Sequence, residues 1–291
     1  MKPIIYFYLP VYDEQETVGV LLYRLSEVMR DLRFDYEVHL TLDGCSDDSA
    51  EVVEPYLKRI PLRVVHNSTR LGYGKCLLDA IKRVLNESTN PRRDYFIVLD
   101  ADFSLDPGLV SSMAAGIDRN VDLYLPHRFG AGRKGHRLAK WLAHLVAGRI
   151  LRLRGFKRAA GLDLFTGLRA CRVGHLRRSL KQLEALGSFG PGIHPSACSA
   201  LLLLALANNV RHEVVIEVAE RKKRRRESRF SWWPNLRFAM KINLVKEETA
   251  KVEQAPQRPR QGRRRSNKYR RRPSNQRKTA DTGNKSGKPA S

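Results

Sequence analysis

Short apolar runs that alternate with amphipathic segments constrain the fold of this chain more than any other feature. Strand-like runs rich in β-branched and aromatic residues recur at positions 4–9, 38–42, 62–65, 96–99 and 121–125. Between them, apolar residues recur with helical spacing, as at Val18, Leu21, Leu22 and Leu25. This alternation predicts an α/β fold in which helices cover both faces of a mostly parallel sheet.

The fourth apolar run ends at two carboxylates, Asp100 and Asp102. Side chains at positions i and i+2 of an extended backbone can point the same way, so both acids can approach one hard divalent cation. Ligands of open α/β sheets bind at the carboxyl ends of the strands. Although Asp-x-Asp also occurs in simple turns, its position here predicts a cation site that faces phosphate groups.

Acids also follow the first two strand-like runs. Asp13 and Glu14 come after the first run, and Asp43 and Asp47 come at the end of the second. Carboxylates gathered on one edge of a sheet repel each other unless a cation offsets their charge. The sequence therefore predicts a metal-nucleotide site at this edge.

The carboxyl-terminal part of the chain differs in composition from the rest. The net charge of the chain is +24, and residues 251–291 contribute +12 of it, with 14 Lys or Arg against Glu253 and Asp281. With few aliphatic side chains, this stretch cannot offset the entropy of ordering. We expect a folded domain over residues 1–245 and a disordered basic tail over residues 246–291, whose anionic partner is a membrane surface or nucleic acid.

Cysteine spacing and hydropathy bear on the location of the protein. None of the four cysteines has Cys-x-x-Cys spacing, which favours a reduced, cytoplasmic protein. The longest apolar stretch, residues 200–207, is far shorter than the ~20 residues of a spanning helix. We therefore expect any membrane association to be peripheral, on the cytosolic face.

The ordered segments resemble the family 2 glycosyltransferases, nucleotide-sugar enzymes with the glycosyltransferase-A fold. The matching segments are residues 10–14, 43–49, 67–74 and 99–102. Within the family, the chain most resembles the branch of dolichol-phosphate mannose synthases and polyprenyl-phosphate glycosyltransferases. The segments behind this similarity are residues 102–107, 163–169, 217–219 and 226–230.

The resemblance implies a role for each matching residue. It implies that the donor nucleotide, with guanine or uracil as its base, is bound by Pro10, Tyr12, Asp13, Glu14, Asp43 and Asp47. It implies that Mg²⁺ or Mn²⁺ is bound by Asp100 and Asp102. It implies that the acceptor phosphate is bound by Thr166, Arg169, Arg226 and Arg229. The catalytic residues that it implies are Asp102, Asp163 and Arg169.

The acid-base chemistry of the transfer favours a phosphate as the acceptor. A hydroxyl acceptor needs a general base, whereas a phosphate is already an anion and needs only cationic positioning. No Glu-Asp pair that would mark such a base occurs between Gly161 and Gly192. Asp163 is the candidate for a general base in this segment. Together with the resemblance, this chemistry predicts an inverting, metal-dependent transfer of mannose or glucose from a nucleotide diphosphate sugar to a polyprenyl or dolichyl phosphate.

Three alternatives stay open at this stage. The acceptor can be a saccharide hydroxyl in polysaccharide assembly. The transferase domain can instead be inactive and bind membrane or nucleic acid through the basic tail. Residues 136–154 combine one apolar face with flanking arginines, which suits either a helix in a membrane interface or a core-facing helix.

Overall fold

The structure of the chain is a computed structural model. It describes residues 2–102, 105–119, 121–129, 169–184, 187, 190–191, 198–199, 202–203, 205–206 and 213–219. The chain divides into two units, Met1–Glu253 and Gln254–Ser291, and all described residues belong to the first. The predicted tail therefore lies outside the described residues.

Seven strands and five α-helices have defined bounds among the described residues, and residues 198–199, 202–203 and 205–206 are helical as well. The strands are β1 (Ile4–Val11), β2 (Asp35–Asp43), β3 (Leu62–Asn67), β4 (Tyr95–Val98), β5 (Leu123–Phe129), β6 (Arg169–Arg172) and β7 (Glu213–Ala219). The α-helices are α1 (Val18–Asp31), α2 (Ser49–Val53), α3 (Tyr73–Glu87), α4 (Leu109–Asp118) and α5 (Val173–Leu183). A 3-10 helix, Glu54–Lys58, follows α2.

The strands form one mixed sheet in the order β3-β2-β1-β4-β6-β5-β7. Strands β1 to β4 are mutually parallel, and β7 is parallel to β5. The mostly parallel sheet and all five predicted strand positions are confirmed. The sequence did not predict β6, which lies antiparallel between β4 and β5 and is too short to carry a clear pattern.

Apolar cores cover both faces of the sheet, as predicted. On one face, Leu21 and Leu25 of α1 pack with Phe7 of β1 and Met113 of α4. On the other face, the apolar side of α3 packs with Tyr8 of β1 and with α5. The helix-spaced residues Val18, Leu21, Leu22 and Leu25 are all buried, which fixes the orientation of α1.

Strand β2 places polar residues inside the protein. Its apolar residues, such as Val38 and Leu40, face α1, whereas the alternate residues His39, Thr41 and Asp43 lie on the face covered by α3. All three polar side chains are buried. The face of β2 under α3 therefore carries polar groups from one end of the strand to the other.

All four cysteines are described, and none forms a disulfide. Cys76, Cys171 and Cys198 are buried, and burial raises the pKa of each thiol, to about 12 for Cys76 and Cys198. These thiols are therefore protonated at neutral pH. Among the described residues, the helices are too short or too polar to cross a bilayer.

Candidate functional site

The predicted donor-site residues lie at the carboxyl edge of three neighbouring parallel strands. Strand β1 lies between β2 and β4, and the three strands end at Val11, Asp43 and Val98. The residues that follow these ends are Tyr12, Asp13, Glu14, Asp47, Asp100 and Asp102. The topology thus brings the three acidic segments to one edge of the sheet, as the sequence predicts.

Asp100 and Asp102 lie just beyond β4, and both are half-buried. The Tyr73 hydroxyl, at the start of α3, donates to Asp100 Oδ1 at 3.4 Å. Burial and the nearby Asp100 carboxylate raise the pKa of Tyr73 well above its ordinary value, so the phenol stays a donor. Two accessible carboxylates are hard oxygen ligands, and this donor set fits Mg²⁺ or Mn²⁺.

Asp43 holds the loop that leads into α3. Its Oδ1 accepts hydrogen bonds from Asn67 Nδ2 at 3.0 Å and Leu71 N at 2.8 Å. Its Oδ2 accepts a hydrogen bond from Gly72 N at 2.8 Å. Three donors on one buried carboxylate fix the loop between β3 and α3. The predicted role of Asp43 in binding the nucleotide stays a prediction.

Asp13 and Asp47 join the loops that follow β1 and β2. Asp13, at a positive φ of 50°, accepts hydrogen bonds on Oδ1 from the backbone N–H and the hydroxyl of Ser46, at 2.7 and 3.2 Å. Asp47 accepts from Gln15 N at 3.0 Å and from the Ser49 hydroxyl at 2.5 Å. Both acids therefore brace the edge of the site, besides any contact with a nucleotide.

Cys45 lies beside these two acids. Its thiol donates to the carbonyl oxygen of Val11 at 3.6 Å, and burial raises its pKa. One ligand atom of Cys45 and one from each of Asp13 and Asp47 lie within 4.8 Å of one another. The two carboxylates already accept hydrogen bonds from the neighbouring loops. We therefore interpret this group as one that holds the two loops together.

Arg70 is a site residue that the sequence analysis did not select. Its guanidinium carbon lies 3.7 Å from the centroid of the Tyr12 ring, a cation–π contact. Gly44, at a φ of +66°, leaves room for this contact, because an added Cβ would lie 2.5 Å from Arg70 N. A signal was present in the sequence, since Arg70 lies within the matching segment 67–74.

Two further segments approach the same edge. Gly72 has a φ of +98°, and a Cβ there would lie 2.8 Å from backbone atoms of Gly190 and Pro191. Arg169 begins β6, where its backbone pairs with Val98, two residues before Asp100. The backbone of Arg169 thus lies next to the strand that leads to Asp100.

Other predicted acceptor residues are not placed by the structure. Asp163, Thr166, Arg226 and Arg229 lie outside the described residues, as does the side chain of Arg169. The amphipathic segment 136–154 lies outside them too. The roles predicted for these residues stay predictions.

Comparison with known proteins gives a family match over most of the described sheet. Residues 6–179 match the family model described as "Glycosyl transferase family 2". The undecaprenyl-phosphate 4-deoxy-4-formamido-L-arabinose transferase of Proteus mirabilis is 27% identical over 238 residues, which are 81% of this chain and 64% of that protein. The dolichol-phosphate mannosyltransferase of Pyrococcus furiosus is 25% identical over 126 residues, 43% of this chain and 33% of that one.

Solved structures share the architecture. Glucosyl-3-phosphoglycerate synthase from Mycobacterium tuberculosis, solved with Mn²⁺, UDP and phosphoglyceric acid, aligns with a TM-score of 0.55 and 16% identity. The alignment covers 84% of this chain and 77% of that one. This likeness confirms the glycosyltransferase-A fold. The chain spans only about one third to two thirds of the length of the curated relatives it matches, at 34% and 64% for two of them.

Proposed function

Because the chain belongs to glycosyl transferase family 2, we propose that it transfers a hexose, mannose or glucose, from a nucleotide diphosphate sugar to a polyprenyl phosphate. The transfer is inverting and depends on Mg²⁺ or Mn²⁺. The names of the relatives support a polyprenyl phosphate as the acceptor, since one acts on undecaprenyl phosphate and another on dolichol phosphate. The proposed base of the donor nucleotide is guanine or uracil.

The observation that carries this proposal is the meeting of three acidic segments at one edge of the sheet. Asp100 and Asp102 supply carboxylates there, and Tyr73 orients one of them. A divalent cation held by the two acids would neutralise charge that develops on the departing diphosphate. Tyr12, with Arg70 against one ring face, offers an aromatic surface for the base.

The acceptor side of the proposal depends on cationic groups. Arg169 begins the strand beside β4, and its guanidinium would pair with a phosphate through two hydrogen bonds. A phosphate oxygen that is already ionised can attack the anomeric carbon without a general base. Thr166, Arg226 and Arg229 complete the proposed acceptor site.

A transfer assay tests the proposal. The full chain is incubated with labelled GDP- or UDP-hexoses, Mn²⁺, and either a polyprenyl phosphate in detergent or a set of saccharides. We expect organic-phase product with the lipid phosphate, and a loss of at least ~100-fold in turnover for Asp102→Asn. The matched control is Asp31→Asn, an exposed acid at the end of α1, which should retain full turnover.

Three results would contradict the proposal. Product formed only with saccharide acceptors would assign the enzyme to polysaccharide assembly. Full activity of Asp102→Asn would remove the role of the acidic pair. Absence of any transfer, together with salt-sensitive RNA binding that persists in Asp102→Ala, would favour an inactive domain that binds through its tail.

The proposed membrane partner is an anionic cytosolic surface bound by the basic tail. A polybasic segment gains roughly 1 kcal/mol per charge near an anionic leaflet. Deletion of residues 251–291 should weaken co-sedimentation with phosphatidylserine vesicles and leave turnover in detergent intact. Complete loss of turnover in detergent would show that the tail is part of the catalytic unit instead.

A further inference from the structure

A second polar cluster lies at the opposite end of β2 from the donor site. Glu37 and His39 belong to β2, and Glu87 is the last residue of α3. His39 Nε2 lies 3.4 Å from Glu87 Oε2 and 3.8 Å from Glu37 Oε1. With a rise of about 3.3 Å per residue, Glu37 lies roughly 20 Å from Asp43, so this cluster is separate from the donor site.

The two atoms at the centre of the cluster are buried without hydrogen bonds. His39 is 2% exposed, and among the described residues its Nε2 has no hydrogen-bond partner. The same holds for Glu87 Oε2, the carboxylate oxygen that faces it. Polar atoms removed from water are costly unless a partner satisfies them. A buried imidazole nitrogen and a carboxylate oxygen 3.4 Å apart are typical ligands of a metal ion.

We propose that Glu37, His39 and Glu87 bind a Zn²⁺ ion at this end of the sheet. Each residue offers one ligand atom, and the three atoms lie within 4.8 Å of one another. In a tetrahedral zinc site with bonds of about 2.0–2.2 Å, neighbouring ligand atoms lie about 3.3–3.6 Å apart. The 3.4 Å between His39 Nε2 and Glu87 Oε2 matches this spacing, and the 3.8 Å between His39 Nε2 and Glu37 Oε1 is slightly longer.

The ligand set selects the class of metal. An imidazole nitrogen disfavours Mg²⁺ and Ca²⁺, which prefer oxygen ligands alone, and suits Zn²⁺ and its neighbours. Three protein ligands leave a fourth position for water. The ion would join the carboxyl-terminal end of α3 to β2.

Arg63 of β3 competes with the metal for the same carboxylates. Its guanidinium donates to Glu37 Oε1 and, at 3.3 Å, to Glu87 Oε1. The Arg63 side chain is 60% exposed and can swing into solvent. Among the described residues, Arg83 of α3 and the Tyr6 ring also lie close to His39, and the Tyr6 ring centroid is 5.8 Å from that of His39. Metal binding therefore requires Arg63 to leave, and its removal should strengthen the site.

A zinc titration tests the site. The EDTA-stripped full chain is titrated with Zn²⁺ against a chromogenic chelator, and Co²⁺ is added separately to record visible absorption. We expect Glu87→Gln and His39→Gln to bind one equivalent of Zn²⁺ fewer than the wild type. Arg63→Met should bind that equivalent at least tenfold more tightly. Asp31→Asn, an exposed acid outside both proposed metal sites, should retain it.

The variants separate a metal site from a simple ion-pair cluster. Glu87→Gln conserves shape at a side chain that is 28% exposed, so it should fold, and circular dichroism checks this. The measured quantity is the difference in zinc equivalents between wild type and variant. Any zinc bound by Asp13, Cys45 and Asp47 is common to both proteins and cancels. Equal zinc stoichiometry in wild type and folded Glu87→Gln would overturn the proposal. So would an Arg63→Met protein that is destabilised and gains no affinity for Zn²⁺ or Co²⁺.

Discussion

The substitution Asp43→Asn tests whether this acid builds the site before it binds any nucleotide. The carboxylate accepts two hydrogen bonds on Oδ1 and a third, from Gly72 N, on Oδ2. An asparagine can place its oxygen at only one of these positions, so its NH₂ group must face a backbone N–H. At least one of the three donors is then left without an acceptor. Because Asp43 is only 6% exposed, water cannot readily replace the lost acceptor.

The cost of Asp43→Asn can be estimated from these contacts. A buried unsatisfied donor costs about 1–3 kcal/mol, and the loss of charge from the other two hydrogen bonds adds to this. We expect a destabilisation of about 2–4 kcal/mol, which lowers Tm by roughly 5–15 °C for a domain of this size.

Thermal unfolding by circular dichroism, paired with nucleotide titration, measures both roles of Asp43. The matched control is Asp100→Asn, at a half-buried acid of the same edge, which should impair activity with little effect on Tm. If Asp43→Asn unfolds at the wild-type temperature and still loses nucleotide binding, the carboxylate is a ligand and the loop does not depend on it. That result would refute the reasoning.

Three further predictions concern single residues. Gly44→Ala should destabilise the protein by at least ~2 kcal/mol, since left-handed backbone costs an L-residue about 1–2 kcal/mol and the added Cβ approaches Arg70 N to 2.5 Å. In urea unfolding, Gly190→Ala, where a Cβ meets nothing within 4 Å, should change little, and equal effects would contradict the steric account. Arg70→Met should weaken UDP or GDP binding by at most about fivefold in calorimetry, because the cation–π contact that positions the Tyr12 ring is worth roughly 1 kcal/mol; unchanged affinity would place the base elsewhere. Burial and two nearby guanidinium groups lower the pKa of His39 to about 4. Since its unfolded pKa is about 6.5, stability in EDTA should fall by roughly 3 kcal/mol as the pH drops through that interval. The same urea series on His39→Gln should lack this part of the slope.

Patterns that are local in the chain predicted most of the fold. The apolar runs located β1 to β5, and the spacing of Val18, Leu21, Leu22 and Leu25 located the buried side of α1. Strand β6 was not predicted because its four residues hold only two apolar side chains. Its place in the sheet is set by pairing with β4 and β5. Long-range pairing of this kind leaves no periodic signal in so short a segment.

The sequence predicted which edge of the sheet carries the candidate site, but it did not predict the contacts between side chains there. Parallel strands place their carboxyl ends together, so the acids after β1, β2 and β4 had to meet. The contact of Arg70 with Tyr12 depends on the loop geometry that Gly44 permits, and neither residue reveals the other in the sequence. The acids also have structural roles that their spacing in the sequence does not reveal. Asp43, for example, accepts hydrogen bonds from the backbone of the loop before α3.

The alternation of β2 explains why polar groups stay inside this sheet. From Asp35 to Asp43 every second residue is polar, a pattern typical of a strand with one face in solvent. Here α3 covers that face. Two residues of the polar row have partners on α3 or on the loop that leads into it. Asp43 meets the N–H groups before α3, and His39 faces Glu87 at its other end. A row of apolar residues under α3 would lose both the hydrogen bonds that hold the loop carrying Arg70 and the cluster at the opposite edge.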